Sequence, residues 1–125
     1  MNMRLILIVP LMLISLTGCS QNLKNGYYWD NYSQTQYAYL KNATPQTLEK
    51  HIETLEKIVS VSNRRGLRVP PGIYTELAFM TRLHNPEADI SEYLDLEVGV
   101  YPEAAKFVDF VNVNLFGGSE VQDGE

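Results

Sequence analysis

The side chains able to do chemistry in this 125-residue chain are few, and they do not converge on a reaction. His51 falls inside a helical pattern with no acid or histidine three or four residues on. A metal pair with His84 needs the fold to join the two, and no ligand-spacing motif supports it. His84 ends an apolar-periodic segment, where an imidazole suits the negative end of a helix dipole. Glu87, Asp89, Glu92, Asp95 and Glu97 form an acidic run. Asp89 and Glu92 are three apart and share a helix face, the arrangement of paired hydrolytic carboxylates. The plainer alternative is a solvated face with acids near a helix N-terminus, where nothing shifts their pKa. No serine lies in a nucleophile-elbow motif and no glycine loop cradles a phosphate. The expectation is therefore a protein with no catalytic residues, no metal and no cofactor.

Two clusters are better suited to contact than to catalysis. Tyr27, Tyr28, Trp29, Tyr32, Tyr37 and Tyr39 place six aromatics in thirteen residues. They either staple this segment onto a helical core, dock a partner, or form a belt at a membrane interface. Stacking on cell-wall sugars is a further use, though it calls for paired polar groups that are not apparent. Arg64, Arg65 and Arg68 cluster where a helix pattern ends. They serve as capping charges or as a patch for anionic headgroups or an acidic partner.

The chain begins with one positive charge at Arg4, an apolar run from Leu5 to Leu16, and small residues at Ser15, Thr17 and Gly18. The run contains Pro10 and is short of the roughly 20 residues a spanning helix needs. Leu16-Thr17-Gly18-Cys19 resembles the lipobox of bacterial lipoproteins. The resemblance implies a signal peptide over residues 1–18, cleavage before Cys19, and acylation of Cys19, the sole cysteine. Bacterial lipoproteins carry three acyl chains, and two already hold stably. Ser20 in place of the aspartate common in inner-membrane lipoproteins implies anchoring in the outer membrane, at its periplasmic face.

The mature chain would hold 107 residues, one small domain. Nine Lys and Arg against fifteen Asp and Glu give it a formal charge of −6, which argues against nucleic acid as a partner. Residues 19–26 read as a tether. The seven residues from Ser20 to Gly26 span at most about 25 Å, which keeps the domain near the membrane. Residues 117–125 are Gly-rich and acidic and read as a disordered tail.

Residues 27–116 between them read as all-α, with four to five helices. Thr44-Pro45 has an N-cap followed by proline at the first helical position. Leu48, Ile52, Leu55, Val59 and Ser62 form its stripe, and Gly66 ends it. A second helix runs from about Pro71 to Leu83, with Ile73, Leu77 and Met80 in line. A third is expected from Pro86, after Asn85 as cap, to Val100. Ile90, Leu94 and Tyr101 lie on one line and Tyr93, Leu96 and Val100 on another, so this helix should be pressed between neighbours. Pro102 opens a fourth, with Ala104, Phe107, Val108, Val111 and Leu115 in register. The alternation from Val111 to Leu115 leaves strand open there. Asp30 to Lys41 is a further short helix.

In a 34-residue frame from Pro71 to Ala104, Tyr74, Leu77, Ala78, Ile90, Leu94 and Pro102 resemble one tetratricopeptide repeat. A generic helical hairpin explains much of the same spacing. Ala78 holds the small slot where two helices approach closely. Thr81 and Glu97 depart from the pattern. The frame turns Glu97 toward a neighbouring helix, where an unpaired carboxylate is costly. Arg82 is its candidate partner.

Three runs resemble a family of small bacterial lipoproteins catalogued as a domain of unknown function: Tyr27 to Ser33, Leu48 to Ile52, and Arg65 to Tyr74. Members of that family tend to be encoded beside a lipoprotein resembling the curli-secretion channel and a second small lipoprotein. The resemblance carries no catalytic residues. It implies a lipid-anchored adaptor or accessory subunit of an envelope assembly, whose partner is another envelope lipoprotein. Tyr27, Tyr28, Trp29, Tyr32, Arg64, Arg65 and Arg68 are the candidate contact residues. The alternative is a cell-wall-binding protein or an envelope hydrolase.

Overall fold

The computed structural model describes residues 26–117. The expected leader, the tether up to Asn25, with Cys19, and the tail beyond Gly117 lie outside the described residues. Within them the chain forms five α-helices: α1 (Tyr32–Lys41), α2 (Pro45–Arg64), α3 (Ile73–His84), α4 (Ser91–Val100) and α5 (Ala105–Phe116). A 3-10 turn, Pro102–Ala104, leads into α5. The small all-α domain expected from the sequence is what forms, with no strand among the described residues. Each helix packs on the next in chain order.

Both ends of α2 follow local chemistry. Thr44 Oγ1 accepts from the Thr47 amide (3.2 Å) and Thr47 Oγ1 accepts from the Thr44 amide (3.0 Å), a reciprocal cap. At the other end the Leu67 amide reaches the Ser62 carbonyl (2.9 Å) and the Gly66 amide the Asn63 carbonyl (3.2 Å). Gly66 sits at φ +63°, the left-handed residue this closure requires. Leu55 and Ser62 of the expected stripe are buried, whereas Leu48, Ile52 and Val59 are only half-buried. The buried sector is widened by His51, Thr54, Ile58 and Val61, because α1 and α3 both lie against α2.

Two expected boundaries are corrected. The second helix starts at Ile73 rather than Pro71, since Gly72 takes φ +87°, outside any right-handed helix. The third starts at Ser91 rather than Pro86. There Asn85 Oδ1 accepts from the Glu87 amide (3.1 Å), forming a turn rather than a helix cap. Asp89 then accepts from the Ser91 amide (3.0 Å) and hydroxyl (2.7 Å) just before α4, so it shares no helix face with Glu92. The alternating Val111–Leu115 segment is helix, not strand. The short helix over α1 forms as expected.

The main core joins α2 and α3 through Leu55, Ile58, Val69, Ile73, Tyr74, Leu77 and Met80. Tyr28, Tyr32 and Tyr39 pack against its edge, so part of the aromatic segment does staple itself down. A second cluster joins α3, α4 and α5. Ala78, fully buried, meets Ile90, Leu94 and Val108 there. The helix expected between neighbours is less enclosed than its two apolar lines suggest. Leu94 and the flanking Ile90 and Tyr101 are buried, but Leu96 is exposed.

Candidate functional site

Where α1, α2 and α3 meet, five polar side chains form one network, buried at Thr35 and His51 and half-buried at Tyr32, Gln36 and Glu76. His51 of α2 is fully enclosed. Its Nε2 lies 2.8 Å from Glu76 Oε1 of α3, and its Nδ1 lies 2.9 Å from Thr35 Oγ1 of α1. Tyr32 donates its hydroxyl to Glu76 Oε2 at 2.6 Å. Gln36 donates to the Tyr32 hydroxyl at 2.7 Å, and its amide nitrogen is 3.4 Å from Glu76 Oε1. Burial raises the Glu76 carboxyl, but the hydrogen bonds from His51, Tyr32 and Gln36 outweigh it and hold the group below the ordinary carboxylate range. Burial, then the bond to Glu76, pushes the Tyr32 phenol up.

Thr35, His51 and Glu76 are the residue types of an acyl-transfer triad, yet they are disposed as a lock. The imidazole has no solvent face, and Thr35 lies inside α1, its hydroxyl 3.2 Å from the Tyr32 carbonyl. The neighbouring amides belong to a helix and are not free to stabilise an oxyanion. A groove of about 390 Å³ runs past Thr35 between α1 and α2, lined also by Asn31, Gln34, Gln46 and Lys50. What this network can do chemically is hold three helices by directional bonds that both protonation states of His51 satisfy. A neutral imidazole accepts from Thr35 at Nδ1. An imidazolium donates to Thr35, which donates on to the Tyr32 carbonyl.

Glu97 of α4 is 2 % exposed, and its partner is not Arg82. It accepts from the Gly72 amide (2.7 Å) and the Thr75 amide (3.3 Å), the unpaired donors at the start of α3. Gly72 has no side chain to cap that end, so Glu97 supplies the anion from the next helix. Arg82 instead donates to the Pro86 carbonyl (2.7 Å) and lies 5.9 Å from the Phe116 ring centroid.

The two histidines are not brought together into one site. His51 is in the lock, and His84 lines a groove of about 350 Å³ with Glu49, Glu53, Glu56 and Tyr93. Among the described residues no three His, Cys, Asp or Glu side chains converge as metal ligands.

The aromatic segment and the arginine loop, separate in sequence, form one surface. Tyr27 and Trp29 stack edge to face at 6.4 Å, and Trp29 and Tyr32 at 5.4 Å. The Tyr27 hydroxyl is 3.3 Å from that of Tyr101, which donates to the Val69 carbonyl at 2.7 Å. Burial and the Tyr27 contact push the Tyr101 phenol up. The Arg68 guanidinium lies 4.5 Å from the Tyr101 ring centroid, and Arg65 lies 5.1 Å from that of Tyr28. Tyr28 donates to Asp30 (2.8 Å), which also pairs with Lys57 (3.0 Å). The bond from Tyr28, then that from Lys57, draws the exposed Asp30 carboxyl down. Arg64 is exposed at the last turn of α2, next to this surface in sequence.

A second surface was not expected. Phe107 and Leu115, placed on one buried stripe by their spacing, are each 58 % exposed, and Phe110 is 60 % exposed. The inward side of α5 is instead Val108 and Val111. The signal was present, since α5 carries more large apolar residues than one helix face can bury.

A family model described as a domain of unknown function, DUF4810, matches residues 27–111, and the chain belongs to that family. No curated protein and no solved structure matches it significantly.

Proposed function

We propose that this DUF4810 member is a non-catalytic adaptor or accessory subunit of an envelope assembly. It is anchored by acylated Cys19 at the periplasmic face of the outer membrane and binds another envelope lipoprotein. The observation that carries the adaptor role is the outer face of α5. A helix with large apolar side chains on two sides belongs between two neighbours. The inner neighbours are α3 and α4, and among the described residues no element covers the outer face of Phe107 and Phe110. In a helical stack the end element is normally polar outside. Here the stack is left open to receive an apolar helix stripe from a second protein.

The test is crosslinking in intact cells, followed by purification of wild type and of a Phe107→Ser/Phe110→Ser variant. Recovery of a second envelope lipoprotein by wild type and its loss in the variant supports the proposal. Recovery of nothing, or of this chain alone, overturns it.

A further inference from the structure

We infer that the surface built from Tyr27, Trp29, Arg65 and Arg68, flanked by Arg64, docks the domain onto anionic phospholipid headgroups of the bilayer to which the chain is tethered. The inference rests on the proposed acylation of Cys19. Its geometric basis is the merging of the aromatic segment and the arginine loop into one surface at the point where the described chain begins.

Three observations carry it. The first is composition. Tyr27 and Trp29 are 41 % and 42 % exposed although they stack on each other, so the cluster presents amphipathic ring faces outward. Such rings settle at the level of lipid headgroups. The second is charge. The mature sequence has a formal charge of −6, yet this surface gathers Arg64, Arg65 and Arg68. Its nearby acid, Asp30, is paired with Lys57. A guanidinium lying on an aromatic ring keeps its N–H groups free at the edge. Arg68 spends one on the Val100 carbonyl (3.0 Å), and the others remain available to phosphate oxygens. The third is reach. Only the seven residues from Ser20 to Gly26 separate Cys19 from Tyr27, at most about 25 Å. The local concentration of headgroups around this surface is therefore high without any further affinity.

A protein partner is the less fitting occupant. An arginine-aromatic patch beside a short lipid tether faces the bilayer before it faces anything else. Docking would also fix the orientation of the domain and hold α5 in one relation to the membrane plane.

Trp29 is the sole tryptophan, so its fluorescence reports on this surface alone. The full protein as cells produce it is purified, and its intact mass shows whether Cys19 is acylated. It is reconstituted into vesicles of phosphatidylethanolamine with phosphatidylglycerol, and into vesicles of phosphatidylcholine, each with and without brominated acyl chains. The expected result is bromine quenching of Trp29 and protection from iodide in the phosphatidylglycerol vesicles. Both should weaken in phosphatidylcholine and at high salt, as the screening length shortens from about 30 Å at 0.01 M to about 3 Å at 1 M. Three arginines near an anionic surface bias docking by on the order of 100-fold, so Arg64→Ala/Arg65→Ala/Arg68→Ala should largely restore iodide access. Circular dichroism of that variant checks that it is folded. If the acylated wild type shows iodide access and no bromine quenching, docking is wrong while anchoring stands. If the mass shows no acylation, anchoring is wrong. Flotation of the same protein with added phosphatidylglycerol vesicles, quenched by bromine, then still supports docking, and failure to float overturns it.

Discussion

Glu76 is the residue on which three helices depend. It receives His51 from α2 and Tyr32 and Gln36 from α1. Its carboxyl is held below the unfolded value near 4.5. A depressed carboxylate contributes stability that is fully present above its unfolded pKa and is lost as pH falls through the folded one. Acid titration of the wild type should therefore show destabilisation beginning below about pH 4.5. In Glu76→Gln the stability profile should be flatter across that window, and an equally steep profile would mean other carboxylates govern it. Glu97 makes a second residue-level prediction. Glu97→Ala leaves the Gly72 and Thr75 amides without an acceptor in a buried place and should cost about 3 kcal/mol, while Glu97→Gln, which keeps an acceptor oxygen, should cost less. Urea midpoints of the two variants check the order. Neither partnership could be read from the sequence, for different reasons. Glu97 stands out as a misfit in the repeat frame, but its partners are backbone amides, which carry no letter. Thr35, His51 and Glu76 carry no spacing signal, because their partners lie on other helices 16 and 25 residues away.

At the scale of elements, the sequence is most informative where local bonds decide the outcome. Thr44-Pro45 and Gly66 bound α2 because the cap, the proline and the left-handed glycine act within a few residues. The start of α4 is not legible from Asn85-Pro86, which is equally good as a turn; the start is set by Asp89 bonding to Ser91, the first residue of the helix. The end of α5 is ambiguous in sequence because Val111 and Leu115, four apart, fit a helical stripe as well as an alternating strand, and packing of Val108 and Val111 settles it. Gly72 tests this local control. A Cβ there meets nothing within 4 Å, so Gly72→Ala should cost only the left-handed strain, about 1–2 kcal/mol. Ala78 tests the tertiary side. It is fully buried against Ile90, Leu94 and Val108, and Ala78→Leu should overpack that joint by about 1–3 kcal/mol. An unchanged denaturation midpoint would mean that α3 and α4 have room to separate.

For the whole molecule the decisive question is which surfaces the chain leaves uncovered. Folding buries one side of every helix in a stack this thin, and whatever large apolar residues remain must be solvated or shared. Leu83 on α3 and Leu96 on α4 are exposed singly, and Tyr37 and Leu40 form an exposed pair on α1. Phe107 and Phe110 are different because they are two wholly apolar rings three apart on the last helix of the described residues, which packs inward through Val108 and Val111. If that face serves binding rather than folding, the two properties separate on mutation. Phe107→Ser/Phe110→Ser removes rings that are already more than half in water, so the thermal midpoint should shift little, with a cost within about 0.5 kcal/mol per site. Capture of the partner lipoprotein should nonetheless be lost, since central aromatics dominate interface energies. Val108→Ser, one residue along and buried in the α3–α4–α5 cluster, should do the reverse and lower the midpoint while the α5 outer face stays intact. A Phe107→Ser/Phe110→Ser protein that melts as early as Val108→Ser would show these rings to be part of the core, and the adaptor proposal would lose its surface.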